Sequence, residues 1–314
     1  MPCYGLYVNK RDNGVIMRAK RFLVATAMIV LTFSSLFLSS CSSSKIATNS
    51  GGDTAERYAA ALADYNKKDY DDAALTLEAL MFSVRGSALE DDVLFYLAQS
   101  YFNTKQYLLS AEMYSRLLQL NAGSPYTPTA QFQLAKSHEK LSSHYEFDHE
   151  HTKKAIQQYA LYIEQYPGRD SAVVAADIQT YQELLKINPA NANYQDQLAV
   201  LKLESERSGS LSYAKNAIKT FRDKLARNKV SIAHQYIQLG KPKGAVIFYD
   251  EVIRFYPDTI YLEAAWKGKV DALILRKKWM EAGQALDQYL QLYPEKQDQM
   301  KGSRDKIMQN FGNS

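Results

Sequence analysis

Two places in this 314-residue chain gather side chains with chemistry to offer. Cys41 stands directly behind Leu38-Ser39-Ser40, a thiol set behind small residues at the end of an apolar run. The only other cysteine is Cys3, so no cysteine after residue 41 can staple the body, and no CxxC pair exists for zinc or redox work. His144, Asp148, His149, Glu150 and His151 crowd the second place. A metal needs ligands that converge and are themselves held in orientation, and neighbouring His and Glu in one loop rarely converge. The competing reading is a solvated loop in which Asp148 or Thr152 caps the next helix. GxSxG, P-loop and HExxH patterns are all absent. The expectation is therefore no catalytic residue, no metal and no cofactor. Nucleic acid is not an expected partner either. The formal charge of +4 comes from residues 1–40, and the remainder carries 33 basic and 33 acidic groups, without the basic excess such a partner requires.

The surroundings of Cys41 explain the thiol. Arg18, Lys20 and Arg21 precede an apolar run over 22–38. A basic segment, an apolar segment and small residues before a cut mark a secretory signal. A cysteine at the cut resembles the lipobox of bacterial lipoproteins, in which Cys41 becomes the acylated N-terminus. The alternative is a plain membrane span, for which the run is short and interrupted by Thr26, Thr32, Ser34 and Ser35. Residues 1–40 are thus read as signal peptide, with Met17 a candidate true start, and 41–53 as lipidated cysteine and Ser/Gly-rich tether. Each buried CH₂ contributes about 0.8 kcal/mol, so the two or three acyl chains of a lipoprotein hold it on the membrane. Ser42, not Asp, follows the cysteine. By resemblance to lipoprotein sorting this implies the outer membrane, with the chain on its periplasmic face.

The body is built from elements that recur. Tyr166-Pro167, Tyr256-Pro257 and Tyr293-Pro294 each close an amphipathic run. Ala155, Ala245 and Ala282 precede these prolines at one common offset, and Tyr159, Tyr249 and Leu286 at another. Small Ala lets two helices approach, the larger residue fills the seam, and proline stops the helix. Ala233, Tyr236, Gly240 and Trp266 fall where matching first helices would carry them. The spacing resembles the tetratricopeptide repeat. Weaker copies surround Tyr70, Ala73, Leu77 and Leu80, and Tyr107, Ser110, Tyr114 and Leu117. The predicted fold is all-α: a tetratricopeptide-repeat superhelical solenoid of about five helical hairpins plus an inserted hairpin. N-terminal repeats one to three span 54–168 and C-terminal repeats four and five span 211–295, followed by a tail at 296–314. The insertion over 171–210 is predicted as two helices split at Asn188-Pro189 and closed by Ser208-Gly209-Ser210. Hairpins of this kind bury their apolar faces only against their neighbours.

Four stretches carry a narrower likeness. They are the Cys41 context, Tyr65-x4-Tyr70-x2-Ala73, Asp148-x3-Thr152-x2-Ala155-x3-Tyr159, and Lys224-Leu225-Ala226 continuing to Phe255-Tyr256-Pro257-Asp258-Thr259. Together they resemble the lipoprotein family of the outer-membrane β-barrel assembly complex (BamD, also called ComL or YfiO). The resemblance implies a scaffold without enzymatic activity. Its partners would be the periplasmic domains of the barrel-forming subunit, unfolded outer-membrane protein clients and the outer membrane itself through the lipid. The 171–210 hairpin and Pro242 depart from the family pattern. Another repeat lipoprotein, such as a pilus-biogenesis pilotin or a cell-division factor, and a glycan-binding or glycan-processing lipoprotein stay open as alternatives.

First helices of such repeats line a groove, and here they offer Tyr58, Leu62, Tyr65, Asn66, Phe95, Gln99, Phe102, Asn103, Phe132 and Lys136. Aromatics give wide apolar contact, Asn and Gln pair with peptide backbone, and Lys136 suits a terminal carboxylate. The set fits an aromatic-ended client peptide. Against it stands the reading that these aromatics are interhelix core.

Overall fold

The computed structural model describes residues 54–311. Residues 1–53, which hold the segments read as signal peptide and tether and the Cys41 between them, and residues 312–314 lie outside the described residues. Helices come in consecutive antiparallel pairs: α1 (Thr54–Lys67) with α2 (Tyr70–Met81), α3 (Glu90–Asn103) with α4 (Tyr107–Leu120), and α5 (Thr127–Leu141) with α6 (Glu150–Gln165). Then follow α7 (Ser171–Ile187), the 47-residue α8 (Ala192–Gln238), α9 (Pro242–Phe255), α10 (Leu262–Leu275), α11 (Trp279–Leu292), a 3₁₀ turn (Pro294–Lys296) and α12 (Lys301–Phe311). No strand occurs among the described residues. Each helix packs on its neighbours in sequence, as in a solenoid, except at the insertion, where α6 packs on α8 and not on α7.

The repeat positions read from spacing are the core. Ala73, Ala155, Ala245 and Ala282 have no exposed surface, and Tyr114, Tyr159, Tyr249 and Leu286 are buried beside them. Ser110 occupies the alanine slot of the second repeat. Its hydroxyl donates to the Ala98 carbonyl at 2.9 Å and lies 3.1 Å from the Ser137 hydroxyl, so the buried polar atom is satisfied. Tyr166, Tyr256 and Tyr293 are helix C-caps, each directly before its proline.

The turns within repeats share one closure. Lys68, Lys105, Gly240 and Lys277 all have positive φ, between 57° and 71° with the others of that class. In each, the next amide bonds a carbonyl five residues back: Asp69 to Asp64, Gln106 to Tyr101, Lys241 to Tyr236 and Lys278 to Leu273, at 2.8 to 3.0 Å. This six-to-one bond is the Schellman closure of a helix end, normally supplied by glycine. Three of the four positions here carry lysine, which pays a left-handed backbone cost that glycine avoids.

The insertion differs from its predicted outline. α7 ends at Ile187 and a short turn through Asn188-Pro189 leads to α8, as expected. No break follows at Ser208-Gly209-Ser210, and the helix runs on through Gln238. Ser208 is buried and bonds the Ser205 carbonyl, and Ser210 bonds that of Glu206, so both hydroxyls are absorbed by the preceding turn of the same helix. The second helix of the insertion and the first helix of repeat four are therefore one element. Its middle packs Leu211, Ala214 and Phe221 against Ala155, Tyr159 and Tyr162 of α6. α12 closes the C-terminal end, with Ile307 buried in the cluster that holds Leu286 and Tyr289.

Candidate functional site

The sequence-predicted residues fall into three groups. Tyr58 and Tyr65 of α1 both meet the ring of Tyr96 on α3, at 6.4 and 5.2 Å between centroids. Tyr96 also lies edge-on to Tyr126, which precedes α5, and Tyr126 stacks on Phe95 at 4.2 Å. First helices of successive repeats thus touch through aromatic rings that remain partly exposed. Phe95 is the exception: at 9% exposure it belongs to the core, so its ring supports the face without offering contact area. The Tyr126 hydroxyl donates to Asp92 at 2.6 Å, and that bond together with burial raises the phenol pKa. Burial does the same to Tyr58 and Tyr65. Leu62 is half-buried and Asn66 exposed on the same helix.

Phe102 forms the second group with Tyr107, edge-on at 5.3 Å. Gln99 is half-buried and Asn103 exposed. The Asn103 amide donates to the Gln99 carbonyl at 2.9 Å, so part of its donor capacity is spent within its own helix.

Phe132 and Lys136 form the third group. Phe132 sits among Tyr159, Tyr162 and Tyr213 at 5.2 to 5.8 Å. The Lys136 ammonium lies 5.7 Å from the Phe132 centroid and 5.1 Å from that of Tyr213. Such ring contacts hold a cation without neutralising it, and Lys136 has no carboxylate within ion-pair distance among the described residues. Glu139, one turn further, accepts from the hydroxyls of Tyr159 and, at 2.7 Å, Tyr213. Burial and that carboxylate push the Tyr213 phenol up to about 12. Beside Phe132, a cavity of about 400 Å³ opens between α5, α6 and α8, lined by Gln133, Tyr162, Leu203 and Arg207.

Sequence reasoning missed Tyr96, Tyr126 and Tyr213. Tyr96 is adjacent to Phe95 and was masked by it. Tyr213 lies where the insertion was expected to separate from repeat four, so its place beside Phe132 followed only from the continuity of α8.

The structure brings one histidine of the loop segment against a histidine of α5. His138, from α5, lies 3.2 Å from His151 through the two Nδ1 atoms, with the rings stacked. Burial, together with the nearby His151 and Lys154, lowers the His138 pKa to about 4. No group of three His, Cys, Asp or Glu side chains fit to hold a metal occurs among the described residues. Asp148 accepts from the Glu150 amide at 3.3 Å at the start of α6, while Thr152 is buried and shares a 2.6 Å bond with Ser142. Asp258 and Thr259 are also structural. Arg222 grips both carboxylate oxygens of Asp258 and the Phe255 carbonyl, which depresses the Asp258 pKa and ties the α9–α10 turn to α8.

The Tetratricopeptide repeat family matches residues 92–124, which are the hairpin of α3 and α4. A search of curated proteins found no match. Among solved structures, similarity extends to a tetratricopeptide repeat protein from Parabacteroides merdae ATCC 43184, at 13% identity over 81% of this chain and 98% of that one, with a TM-score of 0.32. The P58(IPK) TPR domain matches at 13% identity over 82% of this chain and 64% of that one, TM-score 0.33. The assembly chaperone of RpL4 (Acl4, residues 1–338) matches at 14% identity over 77% and 76%, TM-score 0.26. The chain is an all-α protein containing tetratricopeptide repeats. The general role of such repeats is to bind other proteins as non-enzymatic scaffolds.

Proposed function

We propose that this protein is a lipid-anchored scaffold subunit of the machinery that assembles β-barrel proteins in the outer membrane. In this reading Cys41 carries the lipid, repeats four and five hold the barrel-forming subunit, and the first-helix face of repeats one to three receives aromatic-ended client segments. The observation that carries the client reading is Lys136. Its charge is held over two ring faces with no carboxylate in ion-pair contact among the described residues, beside partly exposed aromatics that suit an aromatic residue and its terminal carboxylate.

The test is a binding titration of the intact chain with a peptide ending in phenylalanine, against the same peptide amidated at its C-terminus. Tyr65→Ala with Phe102→Ala is expected to weaken the free-acid peptide about tenfold, which corresponds to about 1.4 kcal/mol, with helical circular dichroism retained. Lys136→Met is expected to abolish the preference for free acid over amide. Equal binding of both peptides to the unmodified chain refutes the groove. Co-purification from detergent-solubilised membranes tests the assembly: recovery of a pilus secretin without a barrel-forming subunit would replace the reading with that of a pilotin.

A further inference from the structure

A second cleft, of about 540 Å³, opens where the α5–α6 loop meets α8 and the start of α10. Ser142, Ser143, His144 and Tyr145 form one wall; Thr220, Asp223, Lys224 and Arg227 form the other, with Tyr261 at the end. The loop is anchored across the cleft at three points. Lys224 Nζ donates to the Ser142 hydroxyl at 2.7 Å, Asn228 donates to the Tyr145 carbonyl at 2.8 Å, and the Arg227 guanidinium lies 4.0 Å over the Tyr145 ring.

The charges in this cleft do not close on themselves. Neither Lys224 nor Arg227 has a carboxylate within ion-pair distance among the described residues. Half-burial pulls the Lys224 pKa down, and no neighbouring carboxylate holds it up. Asp223 is the one acid in the lining, and it accepts the Ile260 amide at 3.1 Å, which fixes it to the α9–α10 turn. Two cations against one occupied carboxylate leave a formal charge of +1. Arg227 meets Tyr145 through the ring alone and makes no hydrogen bond or ion pair among the described residues, and its planar fork of N–H groups matches a carboxylate bidentately. The Ser143 and Thr220 hydroxyls already donate to the Asp148 and Asn216 carbonyls, at 3.0 Å each, so the ligand's donors are those of Lys224 and Arg227. One single negative charge balances the site, whereas a phosphate dianion would overshoot it.

We infer that this cleft is a receptor for a carboxylate side chain on a partner protein, an Asp or Glu in an acidic segment seated between Lys224 and Arg227. The protein source of the carboxylate rests on the scaffold reading; the anion chemistry does not. The volume exceeds one carboxylate side chain, leaving room for flanking backbone, which the Tyr145 and Tyr261 rings would contact.

The test uses the intact chain and a synthetic Gly-Asp-Glu-Asp-Gly peptide with blocked ends, its Asn/Gln counterpart, and inorganic phosphate. Binding is followed by calorimetry at low and moderate salt. The acidic peptide is expected to bind, its Asn/Gln counterpart at least tenfold more weakly, and phosphate more weakly than the acidic peptide. Arg227→Gln is the principal variant, because Arg227 is exposed and its removal leaves the Lys224–Ser142 bond in place. It should cost about tenfold, while Lys215→Gln, an exposed charge elsewhere on α8, should leave affinity unchanged. Lys224→Gln is measured with circular dichroism alongside, and a further loss with retained helicity supports the site. Equal affinity for the acidic and neutral peptides, an Arg227→Gln effect no larger than that of Lys215→Gln, or phosphate binding tighter than peptide overturns the proposal. The aromatic-ended peptide is titrated into the same preparations. Its binding must survive Arg227→Gln, so failure of this cleft and failure of the aromatic face are read separately.

Discussion

Two helical glycines offer a test in which one substitution gives opposite signs. Gly268 lies inside α10, and a Cβ built there meets the Tyr249 ring at 2.3 Å, with the phenol oxygen at 2.6 Å. A phenol tip can often swing aside, but Tyr249 is only 1% exposed and has no free volume to enter. Gly268→Ala therefore gains up to about 1 kcal/mol of helix propensity and loses about 1–3 kcal/mol to overpacking. The net expectation is destabilisation of about 1 to 2 kcal/mol. Gly209 lies inside α8, with nothing within 4 Å of its Cβ position. Gly209→Ala keeps only the propensity term and should stabilise by about 0.5–1 kcal/mol. Urea unfolding followed by circular dichroism reports both. Fluorescence of Trp266 and Trp279, the chain's two tryptophans, reports the C-terminal repeats, where only Gly268→Ala should shift the midpoint strongly. A double-mutant cycle with Tyr249→Leu completes the argument, because the alanine penalty should shrink once the ring is gone. Gly268→Ala as stable as the parent, or a penalty unchanged in the Tyr249→Leu background, would refute the packing reasoning.

Further outcomes follow from the same contacts. Lys68→Gly, Lys105→Gly and Lys277→Gly should each stabilise by roughly 0.5–1 kcal/mol, since each lysine holds a positive φ; a loss at all three, measured by urea midpoints, would mean the side chains contribute more than the backbone costs. Tyr159→Phe should cost about 1–2 kcal/mol, because it strips a buried hydroxyl from the Glu139 carboxylate. His138 has a folded pKa near 4, below its unfolded value of 6.5, so between these pH values the unfolded chain binds the extra proton. Stability should then fall as pH drops through that window, by at most about 1.4 kcal/mol per unit. His138→Gln should reduce the slope above about pH 5.5, where the depressed carboxylates Asp258 and Glu263 contribute little, and leave the part that comes from His149, which burial also lowers. Cys41→Ala should release the protein into the soluble periplasmic fraction, and retention after a high-salt wash would count against lipid as the main anchor.

How far the sequence predicts this molecule depends on what each signal costs to fake. The Ala, Tyr and Pro offsets were legible because three separate constraints, close approach, seam filling and helix termination, must coincide at one spacing. Ala155, Tyr159 and the cap at Tyr166 all land where that spacing puts them. The turns were less legible because Lys68, Lys105 and Lys277 stand where glycine would have announced them. The break expected at Ser208-Gly209-Ser210 failed for a similar reason. Serine and glycine disfavour a helix only by fractions of a kcal/mol to about 1 kcal/mol each, and burial of Leu201, Ser208, Leu211 and Ala214 along one side outweighs that. The aromatic face was legible in kind but not in membership. A one-residue difference along a helix rotates a side chain by about 100°, which separates core Phe95 from partly exposed Tyr96.

The continuity of α8 changes what the insertion can do. At 1.5 Å per residue, a 47-residue helix extends about 70 Å. An inserted hairpin closed by a flexible Ser-Gly-Ser link would pivot independently of repeat four. A hairpin whose second helix is also the first helix of repeat four cannot, because bending it would break i to i−4 hydrogen bonds in the shared segment. The N-terminal half of α8 is further pinned by Arg169, which bridges Asp177 of α7 and Glu204 of α8. The middle half is pinned by α6 through Leu211, Ala214 and Phe221. A force or a partner acting on the exposed apolar side chains of the hairpin, Ile187 and Leu203 among them, would therefore be transmitted along one rigid element past the Lys224–Arg227 cleft to the first-helix position of repeat four. Two prolines test this directly. Gly209→Pro interrupts the helix between hairpin and repeat and should cost about 3 kcal/mol or more, with the hairpin then cleaved by protease far faster than the rest. Pro189→Ala, in the turn that already separates α7 from α8, should leave protease sensitivity unchanged. If Gly209→Pro left both stability and cleavage unaltered, the segment would be a joint after all.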